Sequence, residues 1–265
     1  MRPDVLATVS LMTVPGVPLL APGDDLAAAV GDAIERSGVG LAAFDVVVIA
    51  SKLVSRAEGR IVPISDAAPS ERAYAIAAVT GADPALTEWV LRESERVSRV
   101  ARGVLITRHR LGHVSANAAI DQSNVAPDRA GWIALLPTDP DQSARRVRAA
   151  LQARFGVDPV GVIVTDSLGR PFRLGTVGAA IGVSGLPALC DHRGTNDLFG
   201  RTLEHTETAL ADQIAAAADL LAGQAADARG VTRVRGVRWP VTDADPGVAP
   251  LLRDPDRDLF LGKWP

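Results

Sequence analysis

A chain of 265 residues, 47% of them apolar, is long enough for one large domain or two small ones with a substantial core, which excludes a disordered chain. Its 28 basic and 31 acidic side chains leave a formal charge of −3, and only 4% of residues are aromatic, so the basic excess and stacking platforms of a nucleic-acid binder are both missing. The lone Cys190 permits no internal disulfide and no CxxC pair for zinc or thiol exchange, which fits a reducing cytoplasm.

In chain order, the apolar run Val5 to Val14 follows Arg2 as a leader's hydrophobic stretch would. Asp4 precedes it and Pro15 and Pro18 close it, so no exported leader is expected. Nowhere does an apolar stretch approach the ~18 residues that a membrane-spanning helix needs. Asp24 and Asp25 cap a helix whose Leu26, Val30, Ala33 and Ile34 recur at helical spacing until Gly38. Phe44 to Ala50 (FDVVVIA) is too apolar for a half-exposed edge and reads as a buried central strand. Directly after it stands SKLVSRAEGR, with Ser51, Lys52, Ser55, Arg56 and Glu58 at or just beyond the strand's end, where α/β proteins build their sites.

Pro69 to Glu95 is helical in pattern, restarted at Asp83-Pro84, and Glu93 and Glu95 alternating with Arg92 and Arg96 read as a solvated helix face. Val104 to Thr107 is a short strand, and Arg108 to Val125 has little periodicity, as functional segments often do. A strand over Trp132 to Leu136, a helix over Asp141 to Phe155 stopped by Gly156, and a buried strand over Val160 to Thr165 ending in Asp166-Ser167 follow. Glycines recur from Gly175 to Gly185, where the backbone turns tightly or approaches something closely, either lining a substrate cleft or packing tightly. Thr206 to Leu221 is the clearest helix, stopped by Gly223, and Val231 to Trp239 alternates as a strand. Interleaved helices and strands without repeat or linker predict a mixed α/β fold in one unit.

Chemistry begins with exclusions. The only Gly-Lys, Gly262-Lys263, is followed by Trp264, so there is no phosphate-binding P-loop, and Gly38-Val39-Gly40 precedes a strand instead of following one, which rules out the dinucleotide turn. His109 and His113 lack the glutamate of HExxH, and His192 and His205 lack ligand partners, so these are surface or hydrogen-bonding histidines and no zinc site is expected. Glu58 reads as one end of a solvated salt bridge, and Trp132 and Trp239 as core or interface.

The positive evidence is a set of hard oxygen donors, Asp121 with Asn124 in IDQSN and Asp166 with Ser167 in VTDSLGR. Two aspartates from separate segments can hold magnesium or manganese against a polyphosphate, with Lys52, Arg56, Arg170 and Arg173 neutralising the phosphates. Each aspartate taken singly also reads as a turn or cap residue. Every basic residue except Lys52 and Lys263 is arginine, so a lysine inside a motif is a chemical choice.

Five segments then occur in order: GVPLLAPGDDL (residues 16–26), VVIASKLVSRAEGR (47–60), AAIDQSNV (118–125), VIVTDSLGRPFRLG (162–175) and ADQIAAAADLLAGQ (211–224). Together they resemble the coenzyme F420:L-glutamate ligase family, the gamma-glutamyl ligases of the deazaflavin coenzyme, over about residues 14 to 239. The resemblance implies a cytoplasmic homodimeric enzyme with a two-part fold of its own, neither P-loop nor Rossmann. It implies GTP-dependent joining of L-glutamate to the phospholactyl carboxylate of coenzyme F420-0, then of gamma-linked glutamates, through an acyl phosphate. Two Mg2+ or Mn2+ ions per site and a K+ are implied as cofactors. Nucleotide contacts would fall at Val17, Pro18, Leu19, Leu20, Ser51, Arg56, Asn124 and the loop from Ala222 through Gly223 and Gln224 to Arg229. Asp121 and Asp166 would hold one divalent ion, Ser167 and Gln224 the second, and Asp121, Asp166 and Arg56 would carry the chemistry. The family pattern has Lys where Arg56 stands and Thr where Ser167 stands, changes that keep the donor type but alter reach. Another ligase or phosphotransferase on the same scaffold, or a nucleotide-binding protein without turnover, are the competing readings.

Overall fold

The computed structural model describes residues 7–123, 125, 130–223 and 229–257. In chain order the elements are β1 (Ser10–Thr13), α1 (Leu26–Ser37), β2 (Val46–Ala50), α2 (Ser51–Ala57), β3 (Ile61–Pro63), α3 (Glu71–Thr80), α4 (Pro84–Arg92), β4 (Ser94–Ala101), β5 (Val104–His109), β6 (Val114–Ala116) and β7 (Trp132–Ala134). Then come α5 (Pro140–Phe155), β8 (Gly161–Gly169), β9 (Thr176–Ser184), β10 (Cys190–Asp191), β11 (Glu207–Thr208), α6 (Leu210–Ala222) and β12 (Val231–Arg235). The mixed α/β reading holds. Among the described residues no helix is long and apolar enough to cross a membrane.

The main sheet has the order β1-β12-β2-β8-β9, and only β2 and β8 run parallel. Those two central strands read as continuous apolar runs because both of their faces are covered. Val47, Ile49, Val162 and Val164 pack with Val30, Ile34, Val147 and Leu151 of α1 and α5. Their alternates Val46, Val48 and Ile163 pack with Ile214, Ala215 and Ala218 of α6 and with Trp239. Trp239 is therefore a core residue, and its indole Nε1 donates to the Gly185 carbonyl at 3.0 Å.

Local rules account for the helix ends. Asp25 accepts from Ala28 N, Asp83 from Ala85 N and Asp139 from Gln142 N, while Gly38, Gly81 and Gly156 end α1, α3 and α5 in the left-handed region. The glycine-rich segment is explained by packing. A Cβ at Gly178 would stand 2.6 Å from the Ala215 carbonyl oxygen of α6, and one at Gly182 2.4 Å from the Pro140 carbonyl carbon at the start of α5. Those residues form strand β9, so no substrate cleft is needed to explain them.

Several expected boundaries move. Asp166 and Ser167 do not end their strand, because β9 continues to pair with β8 as far as Gly169↔Thr176. The helix expected from Thr206 begins at Leu210, since Glu207 and Thr208 pair with Asp191 and Cys190. The aperiodic stretch after Arg108 contributes β6 to the three-stranded sheet β4-β5-β6.

Glu93, expected on a solvated helix face, is only 5% exposed, because the chain leaves α4 there and turns into β4. Its carboxylate receives Arg60 Nη2 at 2.5 Å and Arg110 Nε at 3.1 Å, and His109 Nε2 lies 3.5 Å away. Burial works to raise this carboxyl's pKa, but His109, Arg60 and Arg110 overcome it and hold the group at about 2. The His109 ring is buried, and the His113 ring stacks on it at 5.0 Å. Burial, aided by the neighbouring His109, pushes His113 down to about 3. His109 is thus an interior group whose Nδ1 accepts from Leu111 N–H at 2.9 Å, so the hydrogen-bonding reading holds for it and the surface reading does not, while His113 is half-buried.

Both shifts destabilise the fold in acid. A folded pKa below the unfolded value means that the unfolded chain binds the extra proton. The contribution of His113 is therefore present above 6.5 and is lost as pH falls towards about 3, and that of Glu93 is lost from 4.5 towards about 2. His113→Gln should flatten the melting temperature against pH between roughly 6.5 and 4.5. Scanning calorimetry across that range checks this, and a slope equal to that of the wild type would contradict it.

Candidate active site

The register of the two parallel strands builds the centre of the site. Ala50 of β2 pairs with Thr165 of β8, so the next residues along each strand, Ser51 and Asp166, emerge side by side. Ser51 Oγ donates to Asp166 Oδ1 at 2.8 Å. The following residue, Lys52, places its Nζ 2.6 Å from Asp121 Oδ2 and 3.0 Å from the Ser123 carbonyl. One helical turn later Arg56 Nη2 donates to the carbonyl of Val125. Lys52 and Arg56, four apart on α2, thus grip the segment that carries Asp121.

Asp121 is held from its other side by backbone. Its N–H donates to the Ala134 carbonyl at 3.0 Å and its carbonyl accepts from Ala134 N–H at 2.8 Å, an isolated bridge onto β7. Its Oδ1 accepts from Ser123 N–H at 2.6 Å, a turn typical of aspartate. Two carboxylates 45 positions apart in the numbering of the chain, Asp121 and Asp166, are thereby brought together at one end of the sheet.

Their environments drive them apart electrically. Burial, reinforced by the negative charge of Asp121, raises the Asp166 carboxyl, against the Ser51 hydrogen bond, the Ser167 N–H and the Lys52 charge. Asp121 goes the other way: burial opposes ionisation, but the hydrogen bond and charge of Lys52 and the bonds from Ser123 lower it. Two facing carboxylates are a like-charge pair that a cation relieves. Among the described residues no group of three or more His, Cys, Asp or Glu could hold a metal ion. The donor set is two carboxylates and nearby hydroxyls, which suits a hard ion that takes its remaining oxygens from water and phosphate, as magnesium does.

The other expected residues fall around this centre. Val17 packs on the core beside α2 and the Leu20 side chain is buried in it, whereas Pro18 and Leu19 are exposed. Gly23 N–H donates to the Ala57 carbonyl at 2.8 Å, tying this loop to α2. Strand alternation directs Ser167 to the opposite face of β8 from Asp166, the face on which α6 packs. Ala222 ends α6 and Gly223 follows it, and the far end of that loop returns to the site, because Ala50 N–H donates to the Gly230 carbonyl at 2.8 Å. Asn124 and Gln224 lie outside the described residues. Among the described residues Glu58 makes no salt bridge. Its carboxylate accepts from Thr138 N–H at 2.8 Å and Ser143 Oγ at 2.7 Å, fastening α2 to α5. Lys52, assigned from sequence only to phosphates, is in addition the direct partner of Asp121. The abundance of arginine around it was the clue.

The description F420-0:Gamma-glutamyl ligase belongs to the family model that matches residues 16–236. The chain belongs to that family. It is similar to the protein named Coenzyme F420:L-glutamate ligase of Methanothermobacter thermautotrophicus, 43% identical over 254 residues, covering 96% of this chain and 99% of the relative. The protein of the same name from Methanopyrus kandleri is 43% identical, over 96% and 98% of the two chains. That from Methanocaldococcus jannaschii is 39% identical, over 82% and 84%. Membership makes the chain an enzyme of the ligase class.

Lys52→Met removes the one cation bonded to Asp121 among the described residues. The Asp121 carboxyl should then titrate at a higher pH than in the wild type, with Lys52→Arg restoring most of the difference, as followed by carbon NMR of the carboxyl. Solvent screens this partly exposed pair, so stability should fall by no more than about 1 kcal/mol. An unchanged Asp121 titration would refute the assignment.

Proposed function

We propose that this ligase joins L-glutamate to the phospholactyl carboxylate of coenzyme F420-0 and then adds gamma-linked glutamates, at the expense of GTP. The observation that carries the reading is the constellation Ser51–Asp166 and Lys52–Asp121 at the end of two parallel strands, in a chain of this family. A carboxylate does not condense with an amine at neutral pH, because it is anionic and its oxygen leaves poorly. Transfer of the γ-phosphoryl group of GTP to that oxygen gives an acyl phosphate and GDP. The glutamate amine attacks the activated carbonyl, a C–N bond forms, the C–O bond to phosphate breaks, and inorganic phosphate and the amine's proton depart.

Each residue's part follows from its chemistry. Lys52 and Arg56 supply positive charge beside the transferring group, where three anionic partners would otherwise repel. Ser51 holds the Asp166 carboxylate in one orientation. Asp121 and Asp166 would hold one divalent ion, and Ser167 with Gln224 a second. Magnesium or manganese, with potassium, supplies charge neutralisation and in-line alignment when bound. Val17 to Leu20 and the segment from Ala222 to Arg229 would contact the nucleotide, and water that hydrolyses acyl phosphates must be excluded from the reacting carbonyl. The working protein in this reading is a cytoplasmic homodimer.

Incubation with GTP, L-glutamate, F420-0 and a divalent ion should give a glutamylated product by mass spectrometry, with GDP formed in step. Asp166→Asn should keep the circular dichroism of the wild type and lose at least about a hundred-fold in turnover, the scale of removing one preorganised charge-stabilising group. Turnover by Asp166→Asn at the wild-type rate with saturating metal would overturn the metal-ligand assignment. Nucleotide bound but no product from any carboxylate acceptor would make the chain a binding protein.

A further inference from the structure

We infer that the outer face of the β4-β5-β6 sheet, where Arg96, Arg99 and Arg108 stand together, is the track for the growing γ-linked glutamate tail; this rests on the ligation reading above. Each added glutamate leaves its α-carboxylate behind the new reacting end. The acceptor thus becomes a polyanion whose charges recur about every five bonds, roughly 6 Å apart. Lys52 and Arg56 are engaged with the segment that carries Asp121, so the trailing charges need cations of their own.

Register puts the arginines on one face. Arg96 stands opposite Arg108 and Arg99 opposite Ile106, while on the other side of β5 Arg108 stands opposite Val114 and Ile106 opposite Ala116. The alternate residues face inward: Val97 packs with Val90 and Leu105, and Thr107 and Ser115 are buried. Arginines three apart would fall on opposite faces of a regular strand. Here the pairing steps from Val97↔Thr107 to Arg99↔Ile106, and the extra residue, Ser98, turns Arg99 to the side of Arg96. A second irregularity, from Ser94↔His109 to Arg96↔Arg108, makes Glu95 an extra residue as well.

Like charges directly across a sheet repel, so Arg96 against Arg108 is a pairing that an anion relieves. Glu95 meets only Arg108: its Oε2 lies 3.1 Å from Nε, in a geometry that makes no hydrogen bond. That Nε is shielded from solvent and lacks an acceptor among the described residues. Arg96 and Arg99 are exposed and, among the described residues, take part in no ion pair. Arg154, by contrast, is matched by Asp32 and Glu35, and Arg193 by Asp191 and Glu207. Guanidinium groups rooted about 5 Å apart across the strands and about 7 Å apart along β4 suit carboxylates that repeat at roughly 6 Å.

The sheet adjoins the reacting end. Its strand β6 lies against β8, the strand of Asp166, and runs through residues 117–119 into the turn that holds Asp121. Outward from β8 the strands follow in the order β6, β5, β4. The exposed Val114 and Ala116 therefore come first, then Arg108, then Arg96 and Arg99. A tail trailing from its reacting carboxylate crosses a short apolar step and meets three cations, which pair with carboxylates through two-pronged hydrogen bonds.

The test is steady-state kinetics of the full chain with GTP, glutamate and two acceptors, F420-0 and the same coenzyme carrying two γ-linked glutamates. Arg96→Gln and Arg99→Gln should each raise KM for the diglutamate acceptor about three-fold and together about ten-fold, the scale of exposed charge pairs, with kcat within about two-fold. KM for F420-0, GTP and glutamate should not move, and mass spectrometry should show shorter tails from the double variant. Lysine at both positions should restore most of the affinity, and Arg72→Gln, at an exposed arginine of α3, should change nothing. Wild type and double variant should converge near 1 M salt, where charges are screened beyond about 3 Å. A wild-type enzyme that leaves F420-0 unglutamylated sinks the ligation reading itself. A wild type that glutamylates F420-0 beside a double variant of unchanged KM for the diglutamate acceptor refutes the track alone. A double variant whose KM rises equally for both acceptors also refutes it, since the arginines would then act on the part that the two acceptors share.

Discussion

The parallel pairing of β2 with β8 governs the site, because one register, Ala50 against Thr165, decides which side chains meet where the strands leave the core. A slip of one residue would turn every side chain of a strand to the other face, exchanging Val47 and Ile49 for Val46 and Val48 in two differently packed cores. Burial on both faces therefore fixes the register, and the register sets Ser51 against Asp166. The apolar interior does not touch the chemistry, yet it specifies the chemistry's geometry.

A second layer holds Asp121, which comes from an irregular segment. The bridge to Ala134 ties Asp121 to β7. The end of β7 is tied in turn to the end of α2 through Arg60, whose carbonyl accepts from Leu135 N–H, whose N–H donates to the Ser55 carbonyl and whose Nε donates to the Leu136 carbonyl. The same Arg60 side chain enters the buried Glu93 cluster. A buried ion pair contributes little net stability against a hydrophobic substitute, but breaking one partner leaves an uncompensated charge. Its effect here is positional: it holds the segment between α2 and β3 at the place from which Lys52 and Arg56 reach Asp121 and Val125.

Much of this was legible in the sequence where one rule dominated. Central strands followed from uninterrupted β-branched runs, helix ends from aspartate caps and left-handed glycines, and the location of Ser51 and Lys52 from their position after a buried strand. The misreadings share a cause, which is that local pattern was overridden by distant pairing. Arg92 is exposed as expected, but Glu93 looks like part of the same solvated face until Arg60 and Arg110 arrive from elsewhere in the chain. Asp166 and Ser167 look like a strand end until β9 pairs past them. The glycines of β9 look like a loop because the Ala215 and Pro140 backbones that press on them lie in other elements. The approach of Asp121 to Asp166 had the same character: the residue types were readable, and their proximity rested on a segment resemblance, since no local period encodes it.

The division of labour between the two aspartates has a physical logic. Asp166 sits on a strand whose neighbours on both sides are fixed, so its carboxyl cannot escape the burial, and behind it the Asp121 charge, that raise its pKa. Asp121 sits on a turn held by a lysine and two backbone hydrogen bonds, and its lowered pKa comes chiefly from that lysine opposing burial. A site built from one rigid and one tethered carboxylate keeps an anionic pair close at the expense of mutual repulsion, which ordinary folding stability would remove by separating them. The fold instead spends a register, a bridge and its one described lysine on keeping them together.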